Sequence, residues 1–463
     1  MRMLLSAILS ALVCLPALPA AAQTFAMPVA KIDADVTQAL AKGHIEGASI
    51  AIVRDGSVAY AKAYGLRDAA KGLAADPETV FEIGSITKQF TAVAIMQLVD
   101  AEKVSLDAPL ATYLPDAPHA REVTIRELLV QTSGLPEYLD GPSIVPLAAH
   151  PASADSLIAR IAKKPLDFAP GTKWEYSNTN YIVLGRVIEV ASHEPYEKYM
   201  RAHVFTAAGL PHLATMAGEA AISNRSLGYS AGKPSPPLDD SWAWSAGNIV
   251  ATGTELANWD VALSTGKVIP LADYSTMTSA QSPAGGTAYG FGFVIDTYDG
   301  QPRIWHNGGT FGFSSNDAYF PRQHLHIIVL TNDADAATGA IGAKIFDDLH
   351  PDLAKEELQA APGENAALTA RFKKITLALL SGHIDHSQFD AAANAKLTND
   401  FVKQASAQLA AIGTPDRFIF KSVEPRGGSS AYVYLLRTQT GLYKLTIGTD
   451  PDGKLNSIFI APQ

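Results

Sequence analysis

The sequence has a single cysteine, Cys14, close to the start of 463 residues. A thiol nucleophile, a thiolate metal site and an internal disulfide are thereby excluded from the remainder of the chain. An excess of positive charge is also missing. Against 46 aspartates and glutamates stand 36 lysines and arginines, a formal net charge of -10. Nucleic acid and anionic membrane surfaces select basic faces, so neither is expected as a partner. Beyond the N-terminus no run approaches the roughly 20 apolar residues of a membrane span. There is no internal repeat and no long low-complexity tract.

The first residues read as a targeting segment. Arg2 precedes an apolar run over residues 3–18, and Ala20, Ala21 and Ala22 supply small residues for cleavage. Cleavage is expected after Ala22, which assigns residues 1–22 to a signal peptide and the mature protein to the periplasm or the medium. Ala11, Leu12 and Val13 lack the small residue expected just before a lipidated cysteine, so Cys14 is not read as an anchor.

Apolar stretches over residues 48–53 and 58–64 flank Arg54-Asp55-Gly56-Ser57 and predict a β-hairpin. Helical spacing follows from Ser85 to Asp100, with shorter helices over 124–130, 181–191 and from about 254. Strands return over 289–296, 303–306, 315–320 and 325–331. Strands at both ends with helices between predict an α/β (α+β) fold. One antiparallel sheet is built from N- and C-terminal strands, flanked by helices, with a helical lobe and a site in the cleft between. Residues 23–351 form this main domain, 352–365 read as a linker, and 366–463 predict a small α+β domain with an antiparallel sheet.

A serine hydroxyl needs a base beside it to act as a nucleophile. In Ser85-Ile86-Thr87-Lys88 the spacing puts Lys88 one helical turn from Ser85. The same S-x-x-K pattern recurs at Ser230 and Ser264, but only Ser85 opens a long apolar helix. Gly228-Tyr-Ser-Ala-Gly232 matches a nucleophile elbow, yet Pro234, Pro236 and Pro237 follow where that motif requires a helix. Tyr176-Ser177-Asn178 follows a turn and precedes a helix. His306-Asn307-Gly308-Gly309 ends an apolar strand, where glycines permit close approach of a substrate backbone.

Together the order S-x-x-K, Y-x-N, then H-x-G on a late strand resembles the beta-lactamase-related serine hydrolases, which include class C beta-lactamases, D-alanyl-D-alanine carboxypeptidases and esterases. Phe81-Glu-Ile-Gly-Ser-Ile-Thr-Lys88, Thr124-Ile-Arg-Glu-Leu-Leu-Val-Gln-Thr-Ser-Gly-Leu135, Pro170-Gly-Thr-Lys-Trp-Glu-Tyr-Ser-Asn178 and Gly308-Gly-Thr-Phe-Gly-Phe-Ser-Ser315 extend the likeness to roughly residues 29–349. The resemblance implies an acyl-enzyme on Ser85, helped by Lys88. It makes Tyr176, as a phenolate, the general base and later the acid. Asn178 would position substrate or Lys88, and the N–H groups of Ser85 and Gly309 would form an oxyanion hole beside Gly308. His306 stands where beta-lactamases carry a lysine. Histidine is mostly neutral at pH 7, so acyl transfer is expected and efficient beta-lactam hydrolysis is not.

The expected substrate is a small-molecule ester, amide or peptide, including D-amino-acid peptides. Loops over 138–149 and 235–244 are expected to shape its pocket. A beta-lactamase or carboxypeptidase proper, and a non-catalytic binding member of the same fold, are the alternatives. No cofactor and no metal are expected. His383 and His386 lack a third ligand, Asp333 and Asp335 lack calcium-loop spacing, His324 and His326 read as exposed side chains on a strand, and Trp242, Trp244 and Trp305 read as packing residues.

Overall fold

A computed structural model describes residues 27–462, apart from 141–143, 211–212, 216–221, 237–238, 284–285, 352, 354–358, 410–411, 427–428 and 439–440. The expected signal peptide and most of the first half of the expected linker lie outside the described residues.

The hairpin forms as expected. Strand β1 (Gly47–Arg54) turns through Asp55 and Gly56, both at positive φ, into β2 (Ser57–Asp68). Two consecutive left-handed residues suit the twist of a tight hairpin. After the helical middle come β3 (Val294–Tyr298), β4 (Gln301–Thr310), β5 (Phe313–Phe320) and β6 (Leu325–Thr331). The sheet order is β2-β1-β6-β5-β4-β3, with the two-residue strand Leu73–Ala74 outside β2. Ala48 pairs with Thr331 and Ile52 with Ile327, all antiparallel. The two ends of the region thus meet at the middle of one sheet.

Every residue of β1 except Arg54 is buried. Alternate side chains point to opposite faces. Ala51 and Val53 join the core shared with the helical lobe, while Ala48, Ile50 and Ile52 join a second core. That second core is closed by α1 (Val29–Gly43), through Ile32, Val36 and Leu40. On the lobe side lie α2 (Thr87–Asp100), α3 (Asn178–Ser192) and α4 (Gly253–Ser264). Helix α5 (Thr338–Leu349) packs Ile341, Ile345 and Phe346 beside α1.

Two strand boundaries differ from expectation. β3 starts at Val294, not 289, because Gly290 and Gly292 break the ladder. A Cβ on Gly290 would lie 2.0 Å from the Met277 carbonyl oxygen, and Gly292 has φ +80°. β4 continues past His306 to Thr310, carrying both glycines into the sheet.

After the linker, α6 (Ala366–Leu380) and α7 (Asn399–Leu409) precede β7 (Arg417–Arg426), β8 (Ser429–Thr438), β9 (Gly441–Thr449) and β10 (Leu455–Pro462). These four strands form an antiparallel sheet in sequence order. Phe372 and Ile375 of α6 pack on Tyr434, Leu436, Leu445 and Ile447 in a core of their own.

Candidate active site

Ser85 sits in a single 3-10 turn, Gly84–Ile86, that runs directly into α2. Gly84 has φ +53°, and a Cβ there would lie 2.6 Å from the Gly309 nitrogen. Only glycine allows this turn to lie against β4. One turn on, Lys88 is fully buried. Its Nζ lies 3.0 Å from Ser85 Oγ, 2.8 Å from Asn178 Oδ1 and 2.8 Å from the Ala246 carbonyl oxygen. Burial lowers the Lys88 pKa to about 7, against an opposing pull from the Glu137 carboxylate.

Asn178 is the first residue of α3, so the chain entering this helix presents Tyr176 and Asn178 to Lys88 together. Lys88 Nζ lies 4.8 Å from the Tyr176 ring centre. Tyr176 is half-buried, and its hydroxyl is buried beside Ser85. Burial raises the Tyr176 pKa, opposed only in part by the nearby Ser85. That shift favours the neutral phenol over the expected phenolate. The same burial that neutralises an ammonium keeps a phenol protonated.

His306 is brought near Tyr176, with ring centres 6.0 Å apart, but it points into the protein and is 2% exposed. Its Nδ1 lies 2.5 Å from the Asn307 carbonyl oxygen, which only accepts, so Nδ1 carries the proton. Nε2 then accepts from the Tyr289 hydroxyl at 2.9 Å. Burial first, and the Lys88 charge second, push its pKa down to about 3.

The two glycines part company. A Cβ on Gly308 would lie 1.9 Å from the Ile83 carbonyl oxygen, whereas one on Gly309 would meet nothing within 4 Å. Gly308 seats β4 against the segment that carries Ser85. Gly309 faces the cleft.

That cleft has a volume of about 270 Å³ and is lined by Ser85, Asn178 and Gly309 together with an apolar wall that includes Tyr138, Leu139 and Trp242. Both loops expected to shape the pocket contribute. The Tyr138 hydroxyl ties them together by donating to the Trp242 carbonyl. Trp242 is thus a wall of the cleft rather than packing alone, while Trp244 packs at a tilt against Tyr196 and Arg303 lies over the Trp305 ring. A larger hollow of about 770 Å³ beside Glu46, Tyr64 and Asp333 shares no lining residue with this cleft.

Sequence reasoning missed Glu137. Its Oε2 accepts from the backbone and side-chain nitrogens of Asn178 at 2.8 and 2.9 Å. A glutamate beside a proline carries no spacing signal toward a helix 40 residues on.

Ser230 lies in a small hairpin and donates to Asp335 at 2.9 Å, with no helix behind it. His326 is buried, contrary to expectation, because β6 is covered on both faces. Its ring meets Asp260 and Asp317, with potential ligand atoms all within 4.8 Å. Burial first, then repulsion from Asp260, raises the Asp317 pKa, and burial does the same for Asp260. Among the described residues no helix is long and apolar enough to cross a membrane.

A serine contacting a buried lysine, on a sheet-and-helical-lobe scaffold with a cleft above, defines a class of serine hydrolases that work by acyl transfer. The chain belongs to the Beta-lactamase family, whose model matches residues 32–350. It is 30% identical to the "Putative penicillin-binding protein PbpX" of Bacillus subtilis over 305 residues, 65% of this chain and 74% of that protein. A D-stereospecific amidohydrolase from Streptomyces sp. matches at 26% identity and TM-score 0.58, over 68% of this chain and 98% of that one. The octameric penicillin-binding protein homologue from Pyrococcus abyssi shares the fold at 23% identity and TM-score 0.62, over 91% of this chain and 90% of that one.

Proposed function

We propose that the protein hydrolyses esters or amides of uncharged, apolar acyl groups through an acyl-enzyme on Ser85. The observation that carries this is the 3.0 Å contact between Ser85 Oγ and a lysine whose pKa lies at about 7. Neutral Lys88 takes the serine proton as Oγ attacks the carbonyl carbon. The protonated amine returns that proton, by way of the Tyr176 hydroxyl, to the leaving oxygen or nitrogen. Water then repeats the cycle on the ester, with the same lysine as base. The Ser85 and Gly309 N–H groups are assigned to the developing oxyanion.

The substrate class follows from the wall of the cleft. Tyr138, Leu139, Ile144, Trp242 and Phe311 offer apolar surface, and no charged side chain is among the described lining residues. His306 is neutral and does not line the cleft, so a substrate carboxylate finds no cation there. Relatives named for penicillin binding and for D-stereospecific amide hydrolysis support acyl transfer as the chemistry.

We also propose cleavage after Ala22 and export, with residues 23–351 as the hydrolase unit and 366–463 as an accessory domain. Fluorophosphonate labelling with peptide mapping tests the core of the reading. Label should appear on Ser85 and vanish in Ser85→Ala, while Ser230→Ala labels normally. Label retained in Ser85→Ala would overturn it, and no label in a folded wild-type protein would favour a non-catalytic binding module.

A further inference from the structure

We infer that Glu137 is a positioning residue: it fixes the orientation of the Asn178 amide and so reserves the lone pair of Lys88 for Ser85. The inference rests on the proposed roles of Ser85 and Lys88.

The argument is one of donors and acceptors. A carboxylate only accepts. Glu137 Oε2 takes both nitrogens of Asn178, at 2.8 and 2.9 Å, and Oε1 takes the Leu139 N–H at 3.1 Å. The Asn178 amide nitrogen must therefore face Glu137, and its oxygen must face Lys88 Nζ, 2.8 Å away. The Ala246 carbonyl, also 2.8 Å from Nζ, likewise only accepts. A neutral amine has two N–H bonds and one lone pair. Asn178 Oδ1 and Ala246 O take the two N–H bonds, which leaves the lone pair directed at the Ser85 hydroxyl, 3.0 Å away. Were the Asn178 amide reversed, its NH₂ would point at Lys88 and compete with Ser85 for that lone pair. Lys88 cannot prevent this, since an amine accepts as well as donates. Glu137 can.

Glu137 has a second effect through its charge. Its carboxylate favours the ammonium form of Lys88, against the burial that disfavours it. The charged groups around Lys88 are few: Glu137 lies beside Asn178, while His306 on β4 is neutral. A helix-capping role alone would explain the bond to the Asn178 backbone nitrogen, since Ser177 gives α3 no side-chain cap. It would not explain why the same oxygen holds the side-chain nitrogen.

Two variants separate these effects, assayed with p-nitrophenyl butyrate across pH. Glu137→Gln keeps an acceptor oxygen for Asn178 and removes the charge. Its acid limb in kcat/KM should move to lower pH by about half a unit or more. Glu137→Ala removes the acceptor as well, and its alkaline plateau should fall about tenfold or more, below that of Glu137→Gln. Thermal unfolding of both variants shows that they are folded. An acid limb in Glu137→Gln that coincides with wild type overturns the inference, as does a folded Glu137→Ala that keeps the wild-type plateau. Failure of the underlying reading shows instead in the wild type, as a missing Ser85 label or no acid limb near pH 7.

Discussion

Lys88 and His306 are two buried nitrogen bases within one site, and burial lowers both. Their starting values set them apart: Lys88 ends at about 7 and His306 at about 3. Only Lys88 changes charge across the pH range in which the protein would work. Its neutral form dominates above about pH 7, so kcat/KM for a neutral ester should rise through that pH and level off above it. A flat profile with chemistry limiting would remove Lys88 as the base. His306→Gln retains an acceptor for the Tyr289 hydroxyl and should lower the melting temperature while leaving the acid limb in place. A limb that moves with this substitution would mean that His306 holds the relevant proton. By the same reasoning penicillins, which carry a carboxylate, should turn over far more slowly than simple esters, and the reverse order would assign the carboxylate a partner outside the cleft described here.

Among the elements, β4 does two jobs in adjacent residues. Gly308 lets the strand touch the Ile83 carbonyl, and Gly309 leaves room above Ser85. Gly308→Ala should push the strand away and lower kcat, because the close contact is backbone to backbone and neither side can yield. Gly309→Ala clashes with nothing in the resting protein, so it should fold normally and chiefly raise KM. Equal effects on kcat and KM from both substitutions, measured by steady-state kinetics, would refute this division.

Helix α2 was legible in the sequence because apolar spacing and the Ser85–Lys88 interval share one period. β1, β2 and β6 were legible as apolar-rich runs beside turn residues. The length of β4 was not, since two glycines in succession read as an end and not as strand. His326 was misread because alternation implies one wet face, and β6 has none. Tyr176 and Asn178 were found as a pair by order along the chain. Glu137 could not be, since its partner is fixed only when the segment before Tyr138 meets the start of α3.

On the scale of the whole molecule, the cores separate along the chain. Both cores of the large sheet draw on residues 32–349, while the core of the last region begins at Phe372. A chain ending at residue 351 should fold cooperatively and keep esterase activity, as followed by circular dichroism and ester turnover. Loss of folding on that truncation would show that the accessory domain completes the hydrolase.

The pairing of β1 with β6 has a consequence in time. Ala48 pairs with Tyr64 within the hairpin on one side, but on the other its partner is Thr331, so the centre of the large sheet cannot close before residue 331 has been made. Contacts this distant in sequence form slowly, since the intervening loop must be ordered before they reward it. A ribosome adds about 5–20 residues per second, so the nascent chain spends many seconds with the β6 edge of β1 unmatched. Under the proposed export, that delay would be an asset. The chain would remain threadable while a leader is recognised, with the large sheet locking only once β6 has followed.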